Sequence, residues 1–99
     1  MAVQSTIAPG QGARGIAAGV EAAQRAETLT GASVLFLGQM TGNYSGVGWL
    51  LLYPDAAALD RGQTALGGDP GFIEFIDSLE GVFADAPGAT TQLIIRRVI

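Results

Sequence analysis

Residues 33–53 read SVLFLGQMTGNYSGVGWLLLY. Two apolar runs, Ser33 to Met40 and Val47 to Tyr53, flank the turn-forming TGNYSG, and each is short enough and apolar enough to be a strand. A connection this short makes them an antiparallel hairpin. On the second run Val47, Trp49, Leu51 and Tyr53 point one way and Gly48, Leu50 and Leu52 the other; on the first, Val34 and Phe36 oppose Leu35 and Leu37. Both faces of the hairpin are apolar.

Upstream, Ala2 to Ala8 alternates as a first strand and stops at Pro9-Gly10. From Gly12 to Leu29 the chain is alanine-rich, with Ile16, Gly19, Val20, Ala23 and Ala26 at helical spacing, Glu21 four residues before Arg25, and Gly31 placed as a C-terminal cap. Downstream, Asp55 caps a helix over Ala56 to Leu66, which Gly67-Gly68 is expected to stop. Asp69-Pro70 restarts a helix in the preferred order, with Phe72, Phe75, Ile76, Leu79 and Phe83 as its buried stripe and Glu74, Asp77 and Glu80 turned to solvent. Thr90 to Ile99 alternates as a last strand.

The order is β-α-β-β-α-β with the second helical region broken in two. It predicts an α+β fold of the split βαβ, ferredoxin-like kind: a four-stranded antiparallel sheet with helices on one face, in a single domain over residues 1–99. Two helices cover only one face, and a sheet left wet on the other would show polar alternation there. The second apolar face predicts a homodimer packed through the sheet faces, burying on the order of 1,500 Å².

Composition narrows the chemistry. The chain is 48% hydrophobic and only 14% charged. With no cysteine and no histidine it lacks thiolates, cysteine metal sites, the commonest general base and the usual haem ligand, so neither a metal nor a cofactor is expected. A net charge of −4, with five arginines as the only basic side chains, argues against nucleic acid and acidic membranes as partners. No apolar run is long enough to cross a bilayer, and MAVQSTIAPG has neither the basic nor the apolar region of a signal peptide, so a cytoplasmic location is expected.

The stretch GASVLFLGQMTGNYSGVGWLLLYPDAAALDRGQTALGGDPGF, Gly31 to Phe72, resembles the dimeric α+β barrel superfamily, which includes antibiotic-biosynthesis monooxygenases, muconolactone isomerase, EthD-like and NIPSNAP-like proteins. The shared layout is a strand ending in a glycine-bearing turn, an antiparallel strand, a short helix and a DP restart, and it extends over essentially the whole chain. The resemblance implies two ferredoxin-like subunits paired sheet to sheet, with a pocket between sheet and helices in each. It carries over no catalytic residue. Haem-handling branches of the superfamily generally use a histidine, which this chain lacks.

Gly10-x-Gly12-x-x-Gly15 matches a dinucleotide fingerprint, but a genuine site also needs a parallel βαβ unit and an acid about 20 residues on. The corresponding strand ends in Gly38, Gln39 and Met40 and continues into a hairpin. The glycines read instead as a strand-to-helix corner with close helix–sheet packing, with Arg14 at the helix start as a possible anion site. Gly15, Gly19 and the nearby alanines either let helix and sheet touch or leave a cavity.

Asn43, Tyr44, Trp49 and Tyr53 form the polar-aromatic cluster, and Arg61 on the short helix is a candidate to meet an anionic ligand. Cofactor-independent oxygenases of the superfamily place such residue types around aromatic substrates; the plainer roles are turn, interface and strand end. Arg96 and Arg97 fall on opposite faces of the last strand. The expected function is binding of a small organic molecule, with no catalytic residue assigned. The alternatives are a cofactor-independent monooxygenase or isomerase acting on a small aromatic or polyketide-like substrate, and a non-catalytic structural or regulatory interaction protein.

Overall fold

One of the two inner strands of the sheet is the first in the sequence. In the computed structural model, which describes residues 1–40, 45–84 and 90–94, the elements run β1 (Ala2–Thr6), α1 (Gly12–Thr30), β2 (Ser33–Gly38), β3 (Gly46–Leu52), α2 (Ala56–Gly68), α3 (Pro70–Asp77) and β4 (Thr91–Leu93). All pairings are antiparallel and the strand order is β2-β3-β1-β4. The fold is α+β with a four-stranded antiparallel sheet, and this order is compatible with a ferredoxin-like arrangement. Asn43, Tyr44, Arg96, Arg97 and the later part of the expected last strand lie outside the described residues.

The predicted hairpin is β2 and β3, in a register that places Phe36 opposite Trp49 and Leu35 opposite Leu50. Because side chains alternate, each cross-strand row belongs to one face. Phe36, Trp49, Val3 and Gln92 form one row across all four strands, and Leu35, Leu50, Ala2 and Leu93 form the neighbouring row on the opposite face. The first row faces the helices. The Leu row faces away from them, with Leu35 48% and Leu93 61% exposed.

The local signals that end and begin helices act as their chemistry requires. Gly31 takes φ +72° and donates its N–H to the Glu27 carbonyl, closing α1. Asp55 accepts from the Ala58 N–H at 2.7 Å, and Asp69 accepts from the Phe72 N–H at 2.7 Å with Pro70 at the first helical position. Glu21 and Arg25 pair at 3.2 Å on the exposed side of α1.

Two boundaries differ from expectation. Gly67 and Gly68 do not stop α2, which runs through Gly68. Neither glycine has positive φ, so the helix continues until Asp69, which Pro70 forces out of the helical region to φ −93°, ψ 110°. In turn α3 ends at Asp77, and Phe83 is not on it: after the turn at residues 78–82, where Gly81 takes φ +82°, Phe83 forms an isolated bridge with Ile7. Ala8 N–H donates to Val82 O and Ala84 N–H to Thr6 O, so this segment occupies the edge of β1 just beyond β4. Of the stripe expected on α3, only Phe75 is buried; Ile76 is 43% exposed.

Packing on the inner face is tight at both ends. Ile7 is buried against Gly15 of α1 and Val82 is also buried, while Met1, Ala26 and Leu51 form a core cluster joined by Val34, Tyr53, Leu59 and Leu66. Alongside these contacts, a space lined by residues of both the sheet and the helices remains.

Candidate functional site

A cavity of about 820 Å³ lies between the inner face of the sheet and the three helices. Its floor is formed by Val3, Trp49 and Leu51, and α1 contributes Ala22 and Ala26. Gln63 and Leu66 come from α2, Phe72, Ile73 and Ile76 from α3, and Phe83 closes one side. This volume falls in the range of small-molecule sites, and the predominance of apolar lining fits one.

The shape follows from how α1 uses its small residues. A Cβ added at Gly15 would lie 2.7 Å from Ile7, and one at Gly19 would overlap the Phe36 ring. The N-terminal half of α1 therefore touches the sheet through bare backbone. One to two turns further on, Ala22 and Ala26 occupy the same side but line open space. Both outcomes expected of these small residues occur, at different points along one helix.

Trp49 sits at the centre. Its ring packs on Phe36 at 5.2 Å and edge-on to Phe83 at 5.8 Å between centroids, and its indole N–H donates to the Gly19 carbonyl at 2.9 Å. That bond satisfies the only donor the side chain has. Trp49 therefore presents ring surface to the cavity and keeps its N–H for the backbone.

The polar groups are few. Ser5 and Thr90 share a hydroxyl hydrogen bond at 2.8 Å, and Gln92 Nε2 donates to the thioether of Met1 at 3.0 Å, a weak acceptor. The Gln63 side-chain Nε2 is buried with no hydrogen-bond partner. Asp77 and Glu80 also line the cavity and are solvent-exposed, which places them at its mouth. Among the described residues no arginine lines the cavity.

Of the candidate ligand and anion residues that lie among those described, Trp49, Tyr53, Arg61 and Arg14, Trp49 alone lines the cavity. Tyr53 follows the end of β3 and lays its ring against Gly62, where an added Cβ would come within 2.5 Å; its hydroxyl is buried without a partner, away from the cavity lining. Arg61 is exposed on α2, and Arg14 is exposed with Nη1 donating to Gln11 Oε1 at 3.0 Å. Glu74, Asp77 and Glu80 are exposed, and no cluster of three or more metal-ligating side chains occurs among the described residues. Gln63 escaped the sequence reading. It stands four residues after Leu59 and three before Leu66, a polar residue on the apolar stripe of its helix, and that placement is the signal that marks it.

No protein-family model matches the chain, and a search of curated proteins returns no significant match. No helix among the described residues is long and apolar enough to cross a membrane.

Proposed function

We propose that this protein binds a small organic molecule in the cavity between sheet and helices, as a ferredoxin-like subunit of a homodimeric α+β barrel. The observation that carries the binding reading is the cavity itself: about 820 Å³, lined mainly by apolar side chains, floored by an aromatic ring and furnished with few polar groups. Dimerisation is supported by the opposite face, where the Leu row crosses all four strands with none of the described helices over it. Leu37 and Leu52 extend that apolar band at 49% and 50% exposure. Contiguous patches of this kind on soluble proteins mark interaction surfaces, and a second copy presents the same self-complementary band.

Trp49, the single tryptophan, supplies the test because it lines the cavity. Titration with a neutral apolar dye such as N-phenyl-1-naphthylamine is expected to quench or shift Trp49 emission saturably at one site per subunit. Unchanged emission together with no dye binding would overturn the reading and favour a purely structural or regulatory protein. Turnover of a phenolic compound with oxygen uptake, lost in Trp49→Phe, would move the assignment to a cofactor-independent enzyme.

A further inference from the structure

We propose that residues 70–81, helix α3 with the turn that follows it, are a lid that must lift to admit a ligand, and that Arg25 of α1 latches it shut; this rests on the small-molecule reading above. The segment is anchored at its two ends. Before it, α2 packs on α1, and Asp69 leaves the helical region at φ −93°, ψ 110°. After it, Val82 is buried, its carbonyl accepts from the Ala8 N–H, and the Ala84 N–H donates to Thr6 O. Asp69 and Gly81, the latter at φ +82°, are thus two non-helical junctions about which a short helix can turn as a body. Asp77 and Glu80, at the cavity mouth, belong to this segment, so its movement widens the mouth directly.

Between those ends little ties it down. Among the described residues, the hydrogen bonds of residues 70–81 stay within the segment or reach only its neighbours Asp69 and Val82, and none of its carboxylates joins an ion pair. Its apolar side chains border open space: Phe72, Ile73, Ile76 and Leu79 line the cavity, and Ile73 and Ile76 remain exposed. The exception is Phe75, the one buried residue of α3, over whose ring the Arg25 guanidinium stands at 4.5 Å. Glu21, one turn earlier on α1, pairs with the same guanidinium at 3.2 Å and holds it in place. A cation on an aromatic face at a partly exposed position shifts an open–closed equilibrium by a factor of about two to five, enough to bias the lid toward closure and little enough to release it.

Arg25→Met keeps an unbranched apolar stem and removes the charge, so it tests the latch. Stopped-flow mixing with N-phenyl-1-naphthylamine, followed through Trp49 emission, is expected to show both association and release about threefold faster than in the natural protein. Because the latch is engaged in the closed form with or without a ligand inside, its loss speeds passage in both directions and leaves the affinity within about twofold. Hydrogen exchange of the dye-free protein gives a second readout. Amides of residues 70–81 should exchange faster than those of β1 and β3, and about threefold faster again in Arg25→Met, with the two strands unchanged. Phe75→Leu, which keeps a buried apolar side chain without an aromatic face, should reproduce both effects and stands in if the methionine variant folds poorly. Unchanged rates in both variants, or faster release with association unmoved, overturns the lid while leaving small-molecule binding intact. Failure of the natural protein to bind the dye overturns both.

Discussion

A methyl group added at Gly19 would overlap the Phe36 ring, which is itself backed by Trp49 at 5.2 Å. The helix would gain up to about 1 kcal/mol in propensity from alanine, but overpacking a well-filled contact costs roughly 1–3 kcal/mol. Thermal unfolding of Gly19→Ala is therefore expected at a lower temperature than the natural protein. Gly12→Ala, where no atom lies within 4 Å of the added carbon, is the control and should be neutral or stabilising. Residue type and spacing marked Gly15 and Gly19 as facing the sheet, but a helical wheel gives direction without distance, so contact and cavity were equivalent in the sequence. The same limit applies to the site. Trp49 was legible from strand parity, whereas Arg61 lies two residues from Leu59 and so some 200° around α2 from the apolar stripe. Strand parity also put Tyr53 on the face of Trp49 and Leu51, where its ring does pack, but it fills the contact with Gly62 of α2 and does not line the cavity.

Element boundaries were legible where a single residue decides them. Asp55, Asp69 and Gly31 each satisfy a helix terminus through one short-range bond, so their positions in sequence sufficed. Gly67-Gly68 misled because glycine permits a helix to stop without requiring it, and the compulsory stop belongs to the residue before Pro70. A measurable consequence follows on α2: Gly68 is helical and has open space around it, so Gly68→Ala should raise stability by about 0.5–1 kcal/mol in urea unfolding. A drop in stability would mean that the glycine, not the proline, shapes the junction. The short α3 shows the complementary case. Its periodic Phe and Ile residues continue past the helix because the chain turns at residues 78–82 to place Phe83 against β1, a tertiary pairing that helical periodicity alone cannot reveal.

At the scale of the whole molecule, the two faces of one sheet serve different ends. The inner face, with Trp49 at its centre, bounds the cavity, and the outer face carries the Leu band. Both were legible as apolar because strand alternation survives any uncertainty about strand order. Which face the helices cover, and how far from it they stand, depends on packing between distant segments. If the outer band is the dimer surface, a charge placed in its row is buried unpaired in the complex and costs several kcal/mol. Leu35→Arg, at 48% exposure and facing away from the helices, should then shift sedimentation at micromolar concentration from dimer to monomer without emptying the cavity of dye. A natural protein that already sediments as a monomer refutes the dimer directly.

The position of β1 has a consequence for the order in which the molecule is made. This strand is translated before the others yet lies between β3 and β4, and its Ser5 bonds Thr90, 85 residues later. At roughly 5–20 residues per second, the ribosome leaves about 4–17 s during which one edge of β1 has no mate. The β2–β3 hairpin, joined locally, is complete well before then, with its leucines uncovered. Each newly made chain thus passes through an interval in which an open strand edge and an apolar surface are presented together, and encounters between nascent chains in that interval favour mispairing over correct closure.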